Sequence, residues 1–421
     1  MRAKNQNGSV AERIVVGLDI GTTKVCCIIA AMDPDSRINV MGIGKAENEG
    51  MARGTVTHID KTVRSIQQAV QNAEVQSGIK VRAVNVGVAG DHIQSFQSRG
   101  VIAVSNPDNE ITRKDVERLI QDTKRVNLPQ DRKIIHVIPQ EFIVDGQDSI
   151  YDPVGISGVR MEGNVHIITG SVTAVQNIYK CVERAGLEVN DLILEPLASS
   201  YAVLDGEEKE VGIVLVDIGG GTTDIAVFED RTIRHTAVLA IAGKKVTEDI
   251  RKVLGILNED AEKLKREHGF AYLPEIVHDS PILLRGIGGR KPMEISRSLL
   301  CQIIQPRMEE ILEIVALEIK RSGYSKHLHS GVVMTGGGSL IKGTAALARE
   351  VLGMPVKVGI PSGFSGGLVS EAENPMYSTC VGLVLHGFRN AGASSSHESS
   401  RGSHSPFGIW ERVREWFTEQ F

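Results

Sequence analysis

Aromatic residues are scarce in this chain. They make up 4% of 421 residues, and both tryptophans, Trp410 and Trp416, fall in the last twelve positions. A body without tryptophan must build its core from aliphatic side chains. Cysteine is thin and scattered. Five are present, an odd number, with Cys26 and Cys27 adjacent and the rest far apart. That spacing suits neither a disulfide framework nor zinc and points to a reducing cytosol. No run of eighteen apolar residues occurs, so no membrane-spanning helix is expected. The start, MRAKNQNGSVAERIVVGL, lacks the apolar stretch of a signal peptide. Positive charge is not in excess: 47 Lys and Arg stand against 52 Asp and Glu, a net charge of −5, which gives no electrostatic reason to expect nucleic acid. Two nucleotide-binding signatures are missing as well. No G-x-x-x-x-G-K-[ST] occurs, and no G-x-G-x-x-G follows a strand. What remains is an ordinary globular composition, 41% hydrophobic and 24% charged, in a chain long enough for two or more domains.

What is present is one phrase said twice. Residues 15–29 read VVGLDIGTTKVCCII and residues 214–228 read VLVDIGGGTTDIAVF. Each is an apolar strand ending in Asp-Ile-Gly, a Gly/Thr turn, and a second apolar strand. The surroundings repeat too. A third strand is expected at Ile38–Gly44 and a helix over Thr57–Ser77, from the spacing of Val63, Ile66, Val70 and Ala73. VRAVNVGVAG (81–90) alternates as a buried strand. After residue 211 come the second hairpin, a third strand in TIRHTAVLAIAG, and helices in KKVTEDIRKVLG and NEDAEKLKREHG. The pattern is a duplication with Asp19 and Asp217 as equivalent points. Between the copies, roughly 89–165 does not repeat and reads as a small α+β insert. After Phe388 the sequence RNAGASSSHESSRGSHSP has the composition of a flexible linker, and an apolar segment, FGIWERVREWFTEQF, closes the chain.

A hairpin turn of Gly and Thr can bring backbone N–H groups and hydroxyls to an anion. Glycine is expected there because a Cβ would hold the ligand off and because such turns use positive φ. An Asp at the end of the preceding strand suits Mg²⁺, which takes carboxylate, water and phosphate oxygens. Two such turns face to face would clamp a polyphosphate between domains, with Lys24 adding charge at the phosphates. A plain hairpin accounts for DIGTT about as well, but it needs one or two glycines, not three with two hydroxyls. A third cluster, Gly336-Gly337-Gly338, follows a strand in GVVMTGGGSLIKG and precedes a helix expected from about Leu340. Its glycines would let the backbone approach a flat ligand.

Together these loops resemble the actin-like ATPase superfamily. DIGTTK (with Asp19, Gly21, Thr22, Thr23 and Lys24) looks like its first phosphate loop. DIGGGTTD (Asp217, Gly219, Gly220, Gly221, Thr222, Thr223) looks like the second, and TGGGSLIKG (Gly336, Gly337, Gly338) the adenosine loop. LILEPLASSYAVL resembles the connecting helix, with Glu195 where the family positions an attacking water and Asp217 as its catalytic companion. AEKLKREHG resembles the helix whose Glu262, Lys265 and Arg266 face the ribose and base. The resemblance implies ATP as ligand, Mg²⁺ at Asp19 and Asp217, and at most weak ATPase activity. Within the superfamily the chain is most similar to the FtsA family of bacterial cell-division proteins. The place of the insert, the stretch GGRKPMEISRSLLCQIIQPRMEEIL and the closing amphipathic segment carry that likeness. One departure is AIAGKKVTEDI, where a small residue is expected at Lys244.

The fold implied is α/β, two-lobed and actin-like, built from duplicated five-stranded sheet units, with an insert subdomain (1C) and a C-terminal amphipathic helix on a flexible linker. Residues 1–12 form a tail. Subdomain 1A takes 13–88 and 166–209, 1C takes 89–165, 2A takes 210–243 and 2B takes 244–330. Residues 331–388 return through 2A and 1A, 389–405 form the linker and 406–421 the helix. The implied partners are the C-terminal peptide of FtsZ at Arg285, Arg290, Lys291 and Arg297, other copies of the chain, division proteins at the insert, and lipid, on the cytoplasmic face of the membrane at the division site. Two readings stay open on the residues alone: a small-molecule kinase, and a shape- or pilus-assembly relative. His136, His166 and His235 sit in strand-like runs and read as structural. On a helical wheel Ile409, Trp410, Val413, Trp416, Phe417 and Phe421 share an arc of roughly 140°, with Phe407 leading into it. A Ser/Gly linker separates them from any core, and tryptophan favours the membrane interface, so this face is expected to bind lipid. Its two arginines against three glutamates add no net attraction to anionic lipid.

Overall fold

The computed structural model describes residues 13–284 and 292–393. The first lobe opens with β1 (Arg13–Ile20), β2 (Lys24–Met32) and β3 (Ile38–Glu47), a short hairpin of β4 (Met51–Ala52) and β5 (Thr55–Val56), α1 (Ile59–Ser77) and β6 (Ala83–Val88). The insert follows with β7 (Gln94–Ala103), α2 (Arg113–Thr123), β8 (Arg132–Val144), β9 (Gln147–Ile150) and β10 (Arg160–Ser171). The chain returns to the first lobe in α3 (Val172–Arg184) and β11 (Glu188–Leu194), then crosses through α4 (Glu195–Val203) and α5 (Gly206–Val211). The second lobe holds β12 (Ile213–Ile218), β13 (Thr223–Glu229), β14 (Thr232–Leu239), α6 (Gly243–Leu254), α7 (Asn258–His268), the hairpin β15 (Pro281–Leu284) and β16 (Met293–Ser296), α8 (Arg297–Arg321), β17 (Val332–Thr335), α9 (Thr344–Leu352) and β18 (Val356–Val358). A two-residue strand β19 (Gly366–Gly367), α10 (Val369–Ala372) and α11 (Ser378–Ala393) lead back to the first lobe.

The duplication is visible in the sheets. The first is ordered β11-β6-β1-β2-β3-β19 and the second β14-β13-β12-β17-β18. Read from the central strand, each has an antiparallel β1-β2-β3 or β12-β13-β14 meander on one side and two parallel strands on the other. This is the actin-like architecture. The first sheet has six strands where five are expected, because β19 adds two residues to the edge of β3. The central strands are buried on both faces, which explains their unbroken apolar runs. Two large aliphatic cores result, one per lobe.

Helix α11 binds the lobes together. It packs on β1 and against α4, and the approach to α4 is so close that a Cβ on Gly382 would lie 1.8 Å from the Ala198 carbonyl oxygen. At its other end, the Arg13 guanidinium donates to the Phe388 carbonyl at 2.8 Å, a cation at a helix C-terminus. The helix runs to Ala393, past residue 388, where the linker is expected to begin.

The insert is a four-stranded sheet, β7-β10-β8-β9, covered by α2 around a small core of Phe142, Leu119 and Met161. Its long strand β10 continues through Ser171, beyond residue 165. Though threaded through the first lobe, the insert leans on strand β14 of the second. Gln140 donates to the Ile233 carbonyl at 2.8 Å and Ser95 Oγ to the Thr236 carbonyl at 3.0 Å, while His166 Nε2 shares a hydrogen bond with Thr236 Oγ1 at 3.1 Å. Burial foremost, with His235 nearby, lowers the His166 pKa to about 4, so the ring stays neutral in this seam. His136 accepts from the Leu194 N–H and His235 pairs with Glu318. All three histidines serve the fold.

Candidate functional site

The two Gly/Thr turns are built alike. Asp19 stands opposite Cys26 across the first hairpin and Asp217 opposite Asp224 across the second. Gly21 N donates to the Lys24 carbonyl and Gly219 N to the Thr222 carbonyl, both at 2.9 Å. That register makes Thr22 equivalent to Gly220 and Thr23 equivalent to Gly221. The turns meet crosswise. A Cβ on Gly220 would lie 2.5 Å from Thr23 Oγ1, and one on Gly221 2.4 Å from Thr22 Oγ1. The second turn is therefore glycine because the threonines of the first occupy the space. The expected positive φ is not found: none of Gly21, Gly219, Gly220 and Gly221 adopts it. Asn48, buried beside the first turn, donates to the Gly21 carbonyl at 2.8 Å and accepts from Gly50 N at 3.0 Å.

Carboxylates converge behind the turns. Asp217 Oδ2 accepts from Ser199 on α4 at 2.9 Å and from Thr379 on α11 at 3.4 Å. Asp224 Oδ2 accepts from Thr222 at 3.1 Å, while its Oδ1 is buried with no hydrogen-bond partner. Glu195 opens α4. Burial, then Asp19, Asp224 and Asp217 together push the Glu195 pKa well up. Burial and then Asp217 do the same for Asp224. Burial raises Asp217 to about 6, against the pull of Ser199. The cation among them is Lys24, 3.4 Å from Asp19. Burial opposes its charge, but Asp19 and its neighbours outweigh that and raise its pKa. The cluster is short of positive charge, and it has an orphaned carboxylate oxygen. A divalent cation would supply what it lacks. Among the described residues no three His, Cys, Asp or Glu side chains close on one point as a metal cage.

The third loop leaves β17, which pairs with β12 so that Thr335 lies beside Asp217. Gly336 has φ +82°, and a Cβ there would lie 2.2 Å from Asp217 Oδ1. Gly338 lies against Ile218, whereas a Cβ on Gly337 would meet nothing within 4 Å. The helix expected from Leu340 begins later. Gly337–Leu340 is a 3-10 turn, Ile341 is extended, Gly343 is left-handed, and α9 starts at Thr344. On α7, Lys265 donates to Glu262 at 2.6 Å and to the Gly243 carbonyl at 3.1 Å. Burial lowers its pKa in spite of Glu262. Gly243 N donates in turn to Gly219 O, and Lys244 N to Gly220 O, so α7 is tied to the second turn through α6. The side chain of Lys244 is exposed and faces Glu49 of the first lobe electrostatically. Arg266 is exposed. Arg297 is the first residue of α8, away from this cluster. Arg285, Arg290, Lys291, and the tail residues Phe407, Ile409, Trp410, Val413, Trp416, Phe417 and Phe421 lie outside the described residues. Sequence reasoning misses Asp224, Ser199, Thr379 and Asn48. Asp224 is within its reach, since it closes the repeated phrase. The others come from distant segments.

Comparison with known proteins gives this geometry a family. A family model described as "Cell division protein FtsA" matches residues 214–382, and one described as "SHS2 domain inserted in FTSA" matches residues 90–169. A curated relative, cell division protein FtsA of Pseudomonas aeruginosa, is 40% identical over 97% of this chain and 98% of its own length. The chain belongs to the FtsA family. The second-turn motif and the adenosine-type loop both fall inside the first FtsA match, and the insert sheet is the second. Solved structures agree on the fold. The PilM-PilN type IV pilus biogenesis complex aligns over 89% of this chain and 98% of that one at 16% identity and a TM-score of 0.66. MreB5 of Spiroplasma citri bound to ADP aligns over 92% and 99% at 14% identity and 0.55.

The raised pKa of Asp217 has a sign that can be checked. In the folded, ligand-free protein its ionised form is disfavoured, so the penalty is full above about pH 6 and fades as pH falls toward the unfolded value. Asp217→Asn removes it. Urea unfolding without metal or nucleotide should find the variant more stable at pH 7.5 by about 1–3 kcal/mol, with the advantage shrinking through pH 6. An advantage that grows on acidification contradicts the assignment.

Proposed function

We propose that this chain binds ATP with Mg²⁺ between its lobes and, as an FtsA-family cell-division protein, tethers FtsZ filaments to the cytoplasmic membrane through its C-terminal segment. The observation that carries the nucleotide half is the crosswise meeting of the two turns over a carboxylate cluster short of positive charge. Asp19 and Asp217 would hold the cation or its waters, and the cation would shield the phosphates from the carboxylates. Gly21–Lys24 and Gly219–Thr223 would line the phosphates. Gly336–Gly338 would receive the adenosine, with Glu262, Lys265 and Arg266 on its ribose and base. Glu195 would orient a water at the phosphate end. In the ligand-free protein, burial and the neighbouring carboxylates favour its protonated form, and a bound cation would oppose that. MreB5 of Spiroplasma citri, a neighbour of the same fold, is bound to ADP in its crystal structure, which supports a nucleotide as the ligand here.

Two experiments test the halves separately. Gly337 has open space at its Cβ position and no positive φ, so Gly337→Leu should leave unfolding unchanged. Isothermal titration with Mg·ATP should show a loss of affinity of at least tenfold, about 1.4 kcal/mol. Binding as tight as wild type would remove the adenosine assignment. For the membrane half, Trp416→Glu should abolish flotation with vesicles while ATP binding persists. A variant that still rises with the vesicles would end that reading. Co-sedimentation with FtsZ, with and without its C-terminal peptide, separates this function from that of a kinase on the same fold.

A further inference from the structure

A groove of about 320 Å³ lies at the end of α11 remote from the nucleotide turns, at the small end of the range for binding pockets (about 300–1,000 Å³). Met32, Ile38, Tyr201, Leu385 and Phe388 line it and Arg389 stands at its rim. Leu385 and Phe388 are core residues of the first lobe that show at its floor. Its walls are largely apolar, with two aromatic rings, Tyr201 and Phe388, and its edge is basic. The Arg389 guanidinium sits 4.6 Å from the Tyr201 ring centre, Lys209 Nζ is 5.3 Å from the same ring, and Arg13 is 5.9 Å from that of Phe388. Asp33 and Asp35 pair with Arg37, and Glu208 and Glu210, which flank Lys209 in sequence, pair with Lys357 and Arg231.

The position decides the occupant. Phe388 and Arg389 lie one turn before the end of α11, and the remaining chain, 394–421, leaves from there. Trp410 is separated from the helix end by residues 394–409, rich in Ser and Gly. A tether of that length and composition spans roughly 20–25 Å root-mean-square, while the last turn of α11 covers about 5 Å. The groove is within reach, and such a tether gives a millimolar effective concentration. The segment also matches chemically. Its sequence holds two tryptophans and three phenylalanines, with three glutamates against two arginines over 407–421, to set against apolar walls and a basic edge.

We propose that, away from a membrane, the groove holds Trp410 of the chain's own C-terminal segment, so that docking on the body competes with binding to lipid. This rests on reading that segment as the membrane anchor. It adds a latent state in which a single copy shields its anchor, and a membrane or the crowding of copies releases it.

Trp410 and Trp416 are the two tryptophans of the chain, so its tryptophan fluorescence reports on this segment. The full chain is measured without lipid, with acrylamide as quencher, over a tenfold range of protein concentration, beside the isolated peptide 403–421. Wild type should be quenched roughly threefold less than the peptide, independently of concentration, as an intramolecular contact requires. Ile38→Glu, which puts a charge in the groove, and Arg389→Glu, an exposed helix position that reverses the edge charge, should both restore peptide-like quenching. Both should also float with vesicles at severalfold lower protein concentration. Circular dichroism verifies that each variant is folded. Wild-type quenching equal to the peptide's overturns the proposal, as does shielding unchanged in both variants. Shielding that grows with concentration assigns the groove to a second copy and overturns it too. If vesicles still shift the emission of an unshielded wild type, docking fails and the membrane reading stands. If they do not, both fail.

Discussion

Asp217 is held by three parts of the chain at once. It ends the central strand of the second lobe, yet its carboxylate accepts from Ser199 on the crossing helix α4 and from Thr379 at the start of α11, the helix that packs on β1 of the first lobe. Thr335, next to it in the sheet, shares a 2.5 Å hydrogen bond with Ser378, the neighbour of Thr379. Around this knot the molecule gathers acidic groups that burial and mutual repulsion load with protons. Burying like charges together raises the proton affinity of Glu195 and Asp224. The site is thus strained electrostatically rather than in its backbone, and a bound cation would relieve it. The same relief would act on both lobes, since the hydrogen bonds that hold Asp217 come from elements fixed to the other half.

The two turns explain how a duplicated motif diverged. In one copy the side chains at two successive positions are threonines, Thr22 and Thr23. In the other the equivalent positions are Gly220 and Gly221, and each glycine faces a threonine of the opposite turn. Two identical threonine turns would collide, and two glycine turns would leave a gap without hydroxyls. The asymmetry in the sequence is a packing solution for bringing two copies of one hairpin against each other. It also leaves Thr22 able to accept from Gly54 N, so the first turn is braced from its own lobe while the second is braced by the N-terminus of α6.

The repeated Asp-Ile-Gly phrase makes the two sheets and their central hairpins legible, because strands buried on both faces write themselves as unbroken apolar runs around a polar turn. The insert is legible only as a small α+β unit, because strands such as β7 and β9 are largely exposed and carry no unbroken apolar run. What the pattern does not carry is anything depending on distant segments. Ser199 and Thr379 are 180 residues apart in sequence and 3.0 Å apart in the fold; nothing local marks either as a partner of Asp217. The glycine turns are ambiguous in sequence for a physical reason. Glycine usually signals positive φ or a bound ligand, and here the second turn is first of all making room for Thr22 and Thr23. Periodicity alone starts α9 too early, because it does not register the left-handed Gly343 that delays the helix.

Helix α11 joins the two ends of the functional argument. Ser378 and Thr379 at its first turn touch the residues around the Gly/Thr turns, while Leu385, Phe388 and Arg389 near its other end line the groove. Sixteen residues at 1.5 Å each give about 24 Å of rigid connection. Gly382, pressed on the Ala198 carbonyl, prevents the helix from rolling without moving α4 as well. Tyr201, a wall of the groove, is on that same helix α4, two residues beyond Ser199. An adjustment of Asp217 would therefore pull on α4 and α11 together, and both helices contribute residues to the groove. The fold thus joins the carboxylate cluster around Asp217 and the groove near the far end of α11 through one shared pair of helices.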